Sequence, residues 1–320
     1  MAALLAAGLL TLATAACSPS DGGSAGGGNG SDGGGGGPPG DTTATTEPPA
    51  PTTTAPPPPV LVAAGDIACV PGMAPTPQQC QMEATAQLVE SLGPTVVAPL
   101  GDLQYDRGEA ENFAGSYGPT WGRFKAVTRP APGNHEYAGG RAPGYYGFFE
   151  GAADGADGRG WYSYDVGAWH VVALNSVCAP AGGCGEGSPQ LAWLRADLAA
   201  TPARCILAYW HHPRYSSGLH GGSEAVEPFW QALAAAGADV VLSGHDHHYE
   251  RLAPIGGIRQ FVVGTGGRNL YPVLGRLPES EIRDSVTFGV LALTLRPDGY
   301  DWRFLPVPGR SFTDAGSASC

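Results

Sequence analysis

Four short apolar runs, each followed at once by an acidic residue or a histidine, constrain most strongly what this chain can fold into. The runs are VLVAAGD at 60–66, TVVAPLGD at 95–102, CILAYWHH at 205–212 and DVVLSGHDHH at 239–248. Segments of this length that are apolar at successive positions are typical of strands buried on both faces, as in parallel sheets. The pattern therefore predicts a covered sheet whose strands end in polar side chains.

Helices and a second group of strands are predicted around these runs. Segments 81–94, 188–202 and 223–237 begin or end at residues typical of helix termini, and their alternation with strands favours an α/β fold. Residues 161–176 and 258–304 instead have the alternation and turn residues of strands and hairpins. We therefore expect two mixed β-sheets packed face to face and flanked by helices.

The first 59 residues are predicted to lie outside the folded domain. Residues 2–16 form an apolar run of signal-peptide length that ends at Cys17, and the small residues before this cysteine resemble a bacterial lipobox. We favour a lipidated cysteine over a plainly cleaved signal peptide, and both over a structural helix. Residues 18–59 are rich in Gly and Ser, then in Pro and Thr, which predicts a disordered tether. The folded domain is predicted to span 60–320.

The charge of the chain disfavours a nucleic-acid partner. The formal net charge is −12, and no cluster of Lys and Arg is evident along the sequence. A protein that binds nucleic acid through its phosphates needs a basic stripe, so we expect no such surface.

Six of the seven cysteines lie within 60–320, an even count that argues for disulfides in an exported chain. None has the spacing of a CxxC zinc motif. The favoured pairs are Cys69–Cys80 and Cys178–Cys184, each closing a short loop, and by elimination Cys205–Cys320. Six cysteines allow about fifteen pairings, so the sequence leaves the connectivity open.

Side chains that can bind metals collect at the predicted strand ends. They are Asp66, Asp102, His211, His245 and His247, joined by Asn134 and His135 from the loop PGNHEY at 132–137. A lone Asp after a strand is usually a cap, but caps do not favour imidazole. Because ligands of open α/β sheets bind beyond the carboxyl ends of strands, this convergence predicts a metal centre. His170, in mid-strand, is predicted to be structural, and His248 to lie at an exposed rim.

Five sequence blocks resemble, in order, the motifs of purple acid phosphatases within the calcineurin-like metallophosphoesterases. The blocks are GD at 65–66, GDLQY at 101–105, GNHE at 133–136, HHP at 211–213 and GHDHHYER at 244–251. The resemblance covers nearly all of residues 60–270 and implies a four-layer αββα metallophosphoesterase sandwich. The small N-terminal β-domain of the plant enzymes has no counterpart in this sequence.

The resemblance implies a centre of two metal ions. One would be held by Asp66, Asp102, Tyr105 and His247, and the second by Asp102, Asn134, His211 and His245, with Asp102 bridging. A phenolate with carboxylates suits Fe(III), whereas the imidazole-rich second set suits Zn, Mn or Fe(II). Ala68 stands where many relatives outside the purple group have a histidine ligand, so Tyr105 is the natural replacement.

The implied activity is hydrolysis of phosphate monoesters by attack of a hydroxide held by the metals, on a small phosphorylated substrate. His135 would contact the phosphoryl group, and His220 would protonate the leaving group. A phosphodiesterase acting on nucleotides or lipid head groups is the alternative, and a catalytically silent surface-binding module is a third. We expect an exported protein, held at the cell surface by an N-terminal lipid rather than freely secreted, with no other membrane attachment.

Overall fold

The structure, a computed structural model, describes residues 56–154 and 159–320. The predicted signal peptide and nearly all of the predicted tether lie outside these residues. Among the described residues, no helix has both the length and the apolar character needed to cross a membrane.

Strands and helices alternate through the described residues much as the sequence predicts. The strands are β1 (Val60–Ala64), β2 (Val96–Pro99), β3 (Tyr162–Val166), β4 (Trp169–Ala173), β5 (Cys205–Tyr209), β6 (Val240–Ser243), β7 (Tyr249–Leu252), β8 (Arg259–Val263), β9 (Ser280–Asp284), β10 (Gly289–Arg296), β11 (Gly299–Pro306) and β12 (Asp314–Ser319). The helices are α1 (Met82–Leu92), α2 (Ala110–Asn112), α3 (Asn134–Tyr137), α4 (Pro143–Phe149), α5 (Gly151–Asp154), α6 (Pro189–Ala200) and α7 (Glu227–Ala235).

Two mixed sheets carry the fold. One has five strands in the order β12-β11-β10-β1-β2, with β1 parallel to β2 and the other pairs antiparallel. The other has seven strands in the order β3-β4-β5-β6-β8-β7-β9, with a parallel centre from β4 to β8 and antiparallel edges. The predicted pair of mixed sheets is therefore confirmed.

Burial on both faces explains why the central strands are apolar throughout. In β4 and β5, Val171 and Leu207 point into the main core shared with the five-stranded sheet, while Val172 and Ala208 point into a second core. The second core is closed by α6 and α7, and α1 packs on β10 of the other sheet. The layers are therefore helix, sheet, sheet, helix, as the resemblance implies.

Three disulfides join the pairs that the cysteine spacing favours. Their Cα–Cα distances are 5.5 Å for Cys69–Cys80, 5.2 Å for Cys178–Cys184 and 5.3 Å for Cys205–Cys320. The third joins the start of β5 to the C-terminal residue, and so links the two sheets covalently.

Candidate metal centre

The seven predicted metal ligands lie together at the carboxyl ends of the parallel strands. Asp66 follows β1, Asp102 follows β2, His211 follows β5, and two histidines follow β6. Asn134 is the first residue of α3, and Tyr105 lies three residues beyond Asp102. Strands of both sheets therefore deliver these side chains to one place.

Four side chains face one another in the first half of the centre. The Tyr105 Oη atom lies 3.0 Å from Asp66 Oδ1, 3.2 Å from Asp102 Oδ2 and 3.0 Å from His247 Nε2. His247 Nε2 is also 3.1 Å from Asp66 Oδ1. All four side chains are almost completely buried. This is the grouping predicted for the tyrosine-bearing site.

The second half is adjacent and shares one oxygen with the first. His211 Nε2 lies 3.1 Å from Asp102 Oδ2 and 3.1 Å from Asn134 Oδ1. His245 Nδ1 lies 3.2 Å from His211 Nε2. Asp102 Oδ2 therefore stands between Tyr105 and His211, where a bridging carboxylate would lie.

Backbone carbonyls orient two of the imidazoles. His211 Nδ1 donates to Leu100 O at 2.8 Å, and His247 Nδ1 donates to Asn269 O at 2.7 Å. With Nδ1 turned to a carbonyl, each Nε2 faces the centre and is the nitrogen left to bind a metal, which is the usual arrangement of a metal-binding histidine.

The glycines that precede ligands allow close packing of the loops. A Cβ atom on Gly133 would lie 2.2 Å from Asp102 Oδ1, and one on Gly244 would lie 2.7 Å from Asp66 Oδ2. Both separations are far inside van der Waals contact. Only glycine therefore lets these backbones lie against the carboxylates.

Burial and charge set the protonation of the centre. Burial alone would raise the pKa of Asp102, but His211 and His135 outweigh it and hold that pKa well below its ordinary value. Burial would lower the pKa of His211, but the Asp102 charge prevails and raises it to about 9. Burial and the nearby carboxylates raise the pKa of the Tyr105 phenol well above its ordinary value. Without a metal, the Tyr105 phenol and the His211 imidazole therefore both hold their protons near neutral pH.

The donor set fits two cations of different character. Tyr105 Oη has one proton but three acceptors within 3.2 Å, so two of those contacts have no proton to share. A cation would satisfy all of them, and oxygen donors suit a hard cation such as Fe(III). Two imidazoles, an amide oxygen and the shared carboxylate suit Zn, Mn or Fe(II) on the other side.

The two predicted catalytic histidines lie at the edge of the centre. The His135 ring packs 4.2 Å from the Tyr105 ring, and its Nε2 atom is 3.9 Å from Asp102 Oδ2. His220 is exposed, with its ring 4.6 Å from that of His245. Asp246 fixes the loop of His220 by accepting its backbone N–H at 2.8 Å.

Glu136 has a role that the motif GNHE did not reveal. Its buried carboxylate accepts four backbone N–H groups, from Asp102, Leu103, Gln104 and Gly133, at 2.7 to 3.1 Å. Burial and the Asp102 charge raise the pKa of Glu136 to about 7, against the opposing effect of these N–H groups. Glu136 therefore ties the loop of Asp102 to the loop of Asn134.

Two residues of the segment after β8 also line the centre. The Tyr271 ring stacks on His247 at 4.1 Å, and the Arg268 guanidinium lies 5.2 Å from the Tyr105 ring. The sequence GTGGR at 264–268 does not by itself distinguish a segment that lines the centre from a turn.

The prediction that His248 lies at an exposed rim is wrong. Its side chain is buried, and Nε2 lies 3.2 Å from Glu250 Oε2, which also accepts the Ser217 N–H. His247 faces Tyr105 and Asp66 in the candidate centre, whereas His248 faces Glu250 in the interior. His170 has the predicted structural environment, between Asp165 and Asp197 at 2.9 Å each.

Comparison with known proteins places this site in a family. Residues 60–249 match the family described as calcineurin-like phosphoesterase. The chain is 31% identical over 191 residues to an uncharacterized protein of Mycobacterium tuberculosis. The aligned segment covers 53% of this chain and 35% of that protein. The chain is also 33% identical over 121 residues to purple acid phosphatase 15 of Arabidopsis thaliana. That alignment covers 33% of this chain and 22% of the phosphatase.

The fold has a counterpart among solved structures. Purple acid phosphatase PPD1 from yellow lupin (Lupinus luteus) seeds superposes with a TM-score of 0.65 at 20% identity, over 81% of this chain and 53% of that one. The chain spans only about a third or less of the length of the curated relatives named above. The similarity therefore concerns the phosphoesterase domain.

Proposed function

The chain belongs to the calcineurin-like phosphoesterase family of metal-dependent enzymes, and from this premise we propose that it hydrolyses phosphate monoesters with two metal ions. The observation that carries the proposal is the position of Asp102 Oδ2, which lies within 3.2 Å of donors from both halves of the centre. A carboxylate oxygen so placed can join two cations. Without metals, the Tyr105 hydroxyl would have one proton for three neighbouring acceptors.

We assign the ligands in two sets. Asp66, Asp102, Tyr105 and His247 would hold Fe(III), and Asp102, Asn134, His211 and His245 would hold Zn, Mn or Fe(II). When bound, such a metal pair supplies a water of lowered pKa as nucleophile and neutralises the charge that develops on the phosphoryl oxygens. Tyr105 would bind as the phenolate, which the cation stabilises against the burial that otherwise keeps it protonated.

The remaining chemistry falls to two imidazoles. His135, beside the shared oxygen of Asp102, would donate to a phosphoryl oxygen and so orient the ester. His220, exposed next to His245, would give its proton to the leaving-group oxygen. Asp246, by holding the backbone of His220, would position that proton.

Phosphodiester hydrolysis with the same centre is the second candidate, since the ligand set alone does not choose a substrate. Comparing p-nitrophenyl phosphate with bis-p-nitrophenyl phosphate separates the two. A catalytically silent binding module would be expected to have lost a ligand, and all seven positions hold a donor.

The test is metal analysis of the purified full chain together with hydrolysis of p-nitrophenyl phosphate. We expect two metals per chain, activity, and loss of both in Asp102→Ala. Asp298→Ala, which removes a carboxylate whose side chain is 80% exposed in a turn, should behave as wild type. A wild-type protein that is inactive and metal-free after growth and refolding with Fe and Zn would refute the proposal.

We also propose that the protein acts outside the cytoplasm, on small phosphorylated compounds, anchored through a lipid on Cys17. Three disulfides support an oxidising compartment. Metabolic labelling with a fatty-acid probe should mark the wild type and not Cys17→Ser. Labelling of both, or of neither, would contradict the anchor without touching the proposed catalysis.

A further inference from the structure

A cavity of about 650 Å³ has no part in the proposed catalytic steps. Its wall includes Tyr137, Arg141, Arg159 and the first residue of α6, Pro189. Two arginines thus face one space, and no acidic residue belongs to the part of the wall that the structure describes. We call this cavity the Arg141–Arg159 recess.

The recess adjoins the metal centre through a short series of contacts. Tyr137 lies three residues after Asn134 in α3, and residues at this spacing share a helix face about 5–6 Å apart. The Tyr137 hydroxyl accepts from Asn175 Nδ2 at 2.8 Å. The next residue, Ser176, lies 2.9 Å from His212 Nδ1, directly beside His211 in the chain. Helix α3 therefore contributes Asn134 to the metal centre and Tyr137 to the recess.

The two arginines of the recess have no acidic partner among the side chains that the structure describes. Within residues 56–153 and 159–320, no carboxylate lies within ion-pair distance of Arg141 or Arg159, and both arginine side chains are exposed. The Arg159 guanidinium lies 5.7 Å from the centroid of the Trp161 ring. Other arginines of this acidic chain do pair, such as Arg195 with Glu186 and Arg251 with Asp314. The positive N-terminal end of α6 adds to the same potential.

We propose that the Arg141–Arg159 recess binds a second anionic group of the substrate while the ester phosphate lies at the metal centre. Guanidinium groups bind phosphate and carboxylate through paired N–H donors, and two of them on one wall suit a dianion. The preferred substrates are then phosphate monoesters that carry a second phosphate or a carboxylate at a fixed distance. This inference rests on the proposed phosphatase activity.

The test compares matched substrates on the metal-loaded full chain. Alkanediol bisphosphates of increasing chain length are compared with the ω-hydroxyalkyl phosphates of the same length, and ω-phosphonooxy carboxylic acids form a third arm. We expect a lower KM for the doubly charged substrates, with an optimum at one chain length. The phosphate and carboxylate arms then identify which anion the recess prefers.

Variants locate the effect. Arg141→Ala and Arg159→Ala should each raise KM for the best doubly charged substrate about tenfold, with kcat nearly unchanged, because a charge-assisted hydrogen bond of each is lost. Their kcat/KM for p-nitrophenyl phosphate should stay within about twofold of wild type. Arg303→Ala, which removes an equal charge from β11 in the other sheet, is the matched control.

The outcomes separate this inference from the activity on which it rests. No hydrolysis of p-nitrophenyl phosphate by wild type would refute the proposed function. If wild type hydrolyses p-nitrophenyl phosphate normally but shows no preference for a second anion, only the proposal for the recess is refuted. The same holds if the preference survives in the Arg141→Ala/Arg159→Ala double variant. An equal rise in KM for the doubly charged substrate in Arg303→Ala would also refute the proposal for the recess, since only the net charge of the protein would then matter.

Discussion

Replacing Glu136 by glutamine tests whether one buried carboxylate holds the loops of the metal centre together. Its Oε2 atom accepts from Asp102 N at 2.9 Å and Gly133 N at 2.7 Å, and its Oε1 atom accepts from Leu103 N at 2.9 Å and Gln104 N at 3.1 Å. Glutamine has one carbonyl oxygen. Its NH2 group must therefore face two of these four N–H groups.

The cost follows from the two N–H groups that lose their acceptor. A buried donor without an acceptor costs about 1–3 kcal/mol, so Glu136→Gln should lower the free energy of unfolding by about 2–6 kcal/mol. Whole-domain stabilities are about 5–15 kcal/mol, so the shift is a large fraction of the total and is measurable by unfolding. Because two of the four donors belong to Asp102 and to the residue before Asn134, metal affinity should fall about 10-fold or more.

The assay is urea unfolding of the metal-free chain, followed by metal titration of the folded variant. The urea midpoint should fall without a change in slope, since the surface exposed on unfolding is the same. Glu90→Gln, an exposed change in α1, is the matched control and should shift stability by under about 0.5 kcal/mol. If Glu136→Gln matches that control in stability and binds metal as wild type does, Glu136 does not hold the loops.

Three further changes test other parts of the structure. Tyr105→Phe should keep the fold but lose the visible charge-transfer band expected of tyrosinate on Fe(III), and a colourless iron-loaded wild type would contradict that assignment. The carboxylates of Asp197 and Asp165 raise the pKa of His170, against the effect of burial. The stabilisation from His170 is therefore complete below the ordinary histidine pKa and is lost as pH rises through the raised pKa. The melting temperature of wild type should fall over that pH range, and that of His170→Gln should not. Removing the Cys205–Cys320 disulfide should lower the free energy of unfolding by about 5 kcal/mol, and removing Cys178–Cys184 should lower it by about 2 kcal/mol, because the two bonds close loops of 115 and 6 residues. Equal losses of stability in urea unfolding would contradict the dependence on loop length.

The sequence predicts the metal centre because its donors follow buried strands. A strand covered on both faces must be apolar throughout, so the first polar residue after it marks the sheet edge. In the structure, each of these strands ends a few residues before the polar residue that reaches the metal centre. Asp66, Asp102 and His245 have φ values of 61°, 50° and 69°, in the left-handed region that a strand does not use. Sequence pattern does not report that change of backbone direction.

Contacts between loops are what sequence pattern misses. Glu136 meets backbone N–H groups more than thirty residues away, and nothing periodic links the two segments. The sequence predicts His248 at the rim, yet the chain bends through residues 245–248 and His248 turns inward to Glu250. The buried Glu250 that receives it could have signalled this, since a lone buried carboxylate requires a partner.

The proposed metal ligands lie at the ends of packed strands, whereas the residues proposed to select the substrate lie in loops. The metal ligands come from the ends of packed strands and from a short helix that Glu136 fastens to them, so their positions are fixed by the core. Arg141 and Arg159 are exposed side chains next to glycines in the sequence, and neither belongs to a strand or helix. Loops can change without disturbing the strands beneath them, and binding residues are accordingly common there. A relative that retains every ligand but lacks the two arginines should therefore retain hydrolysis of simple monoesters and lose the preference for a second anionic group.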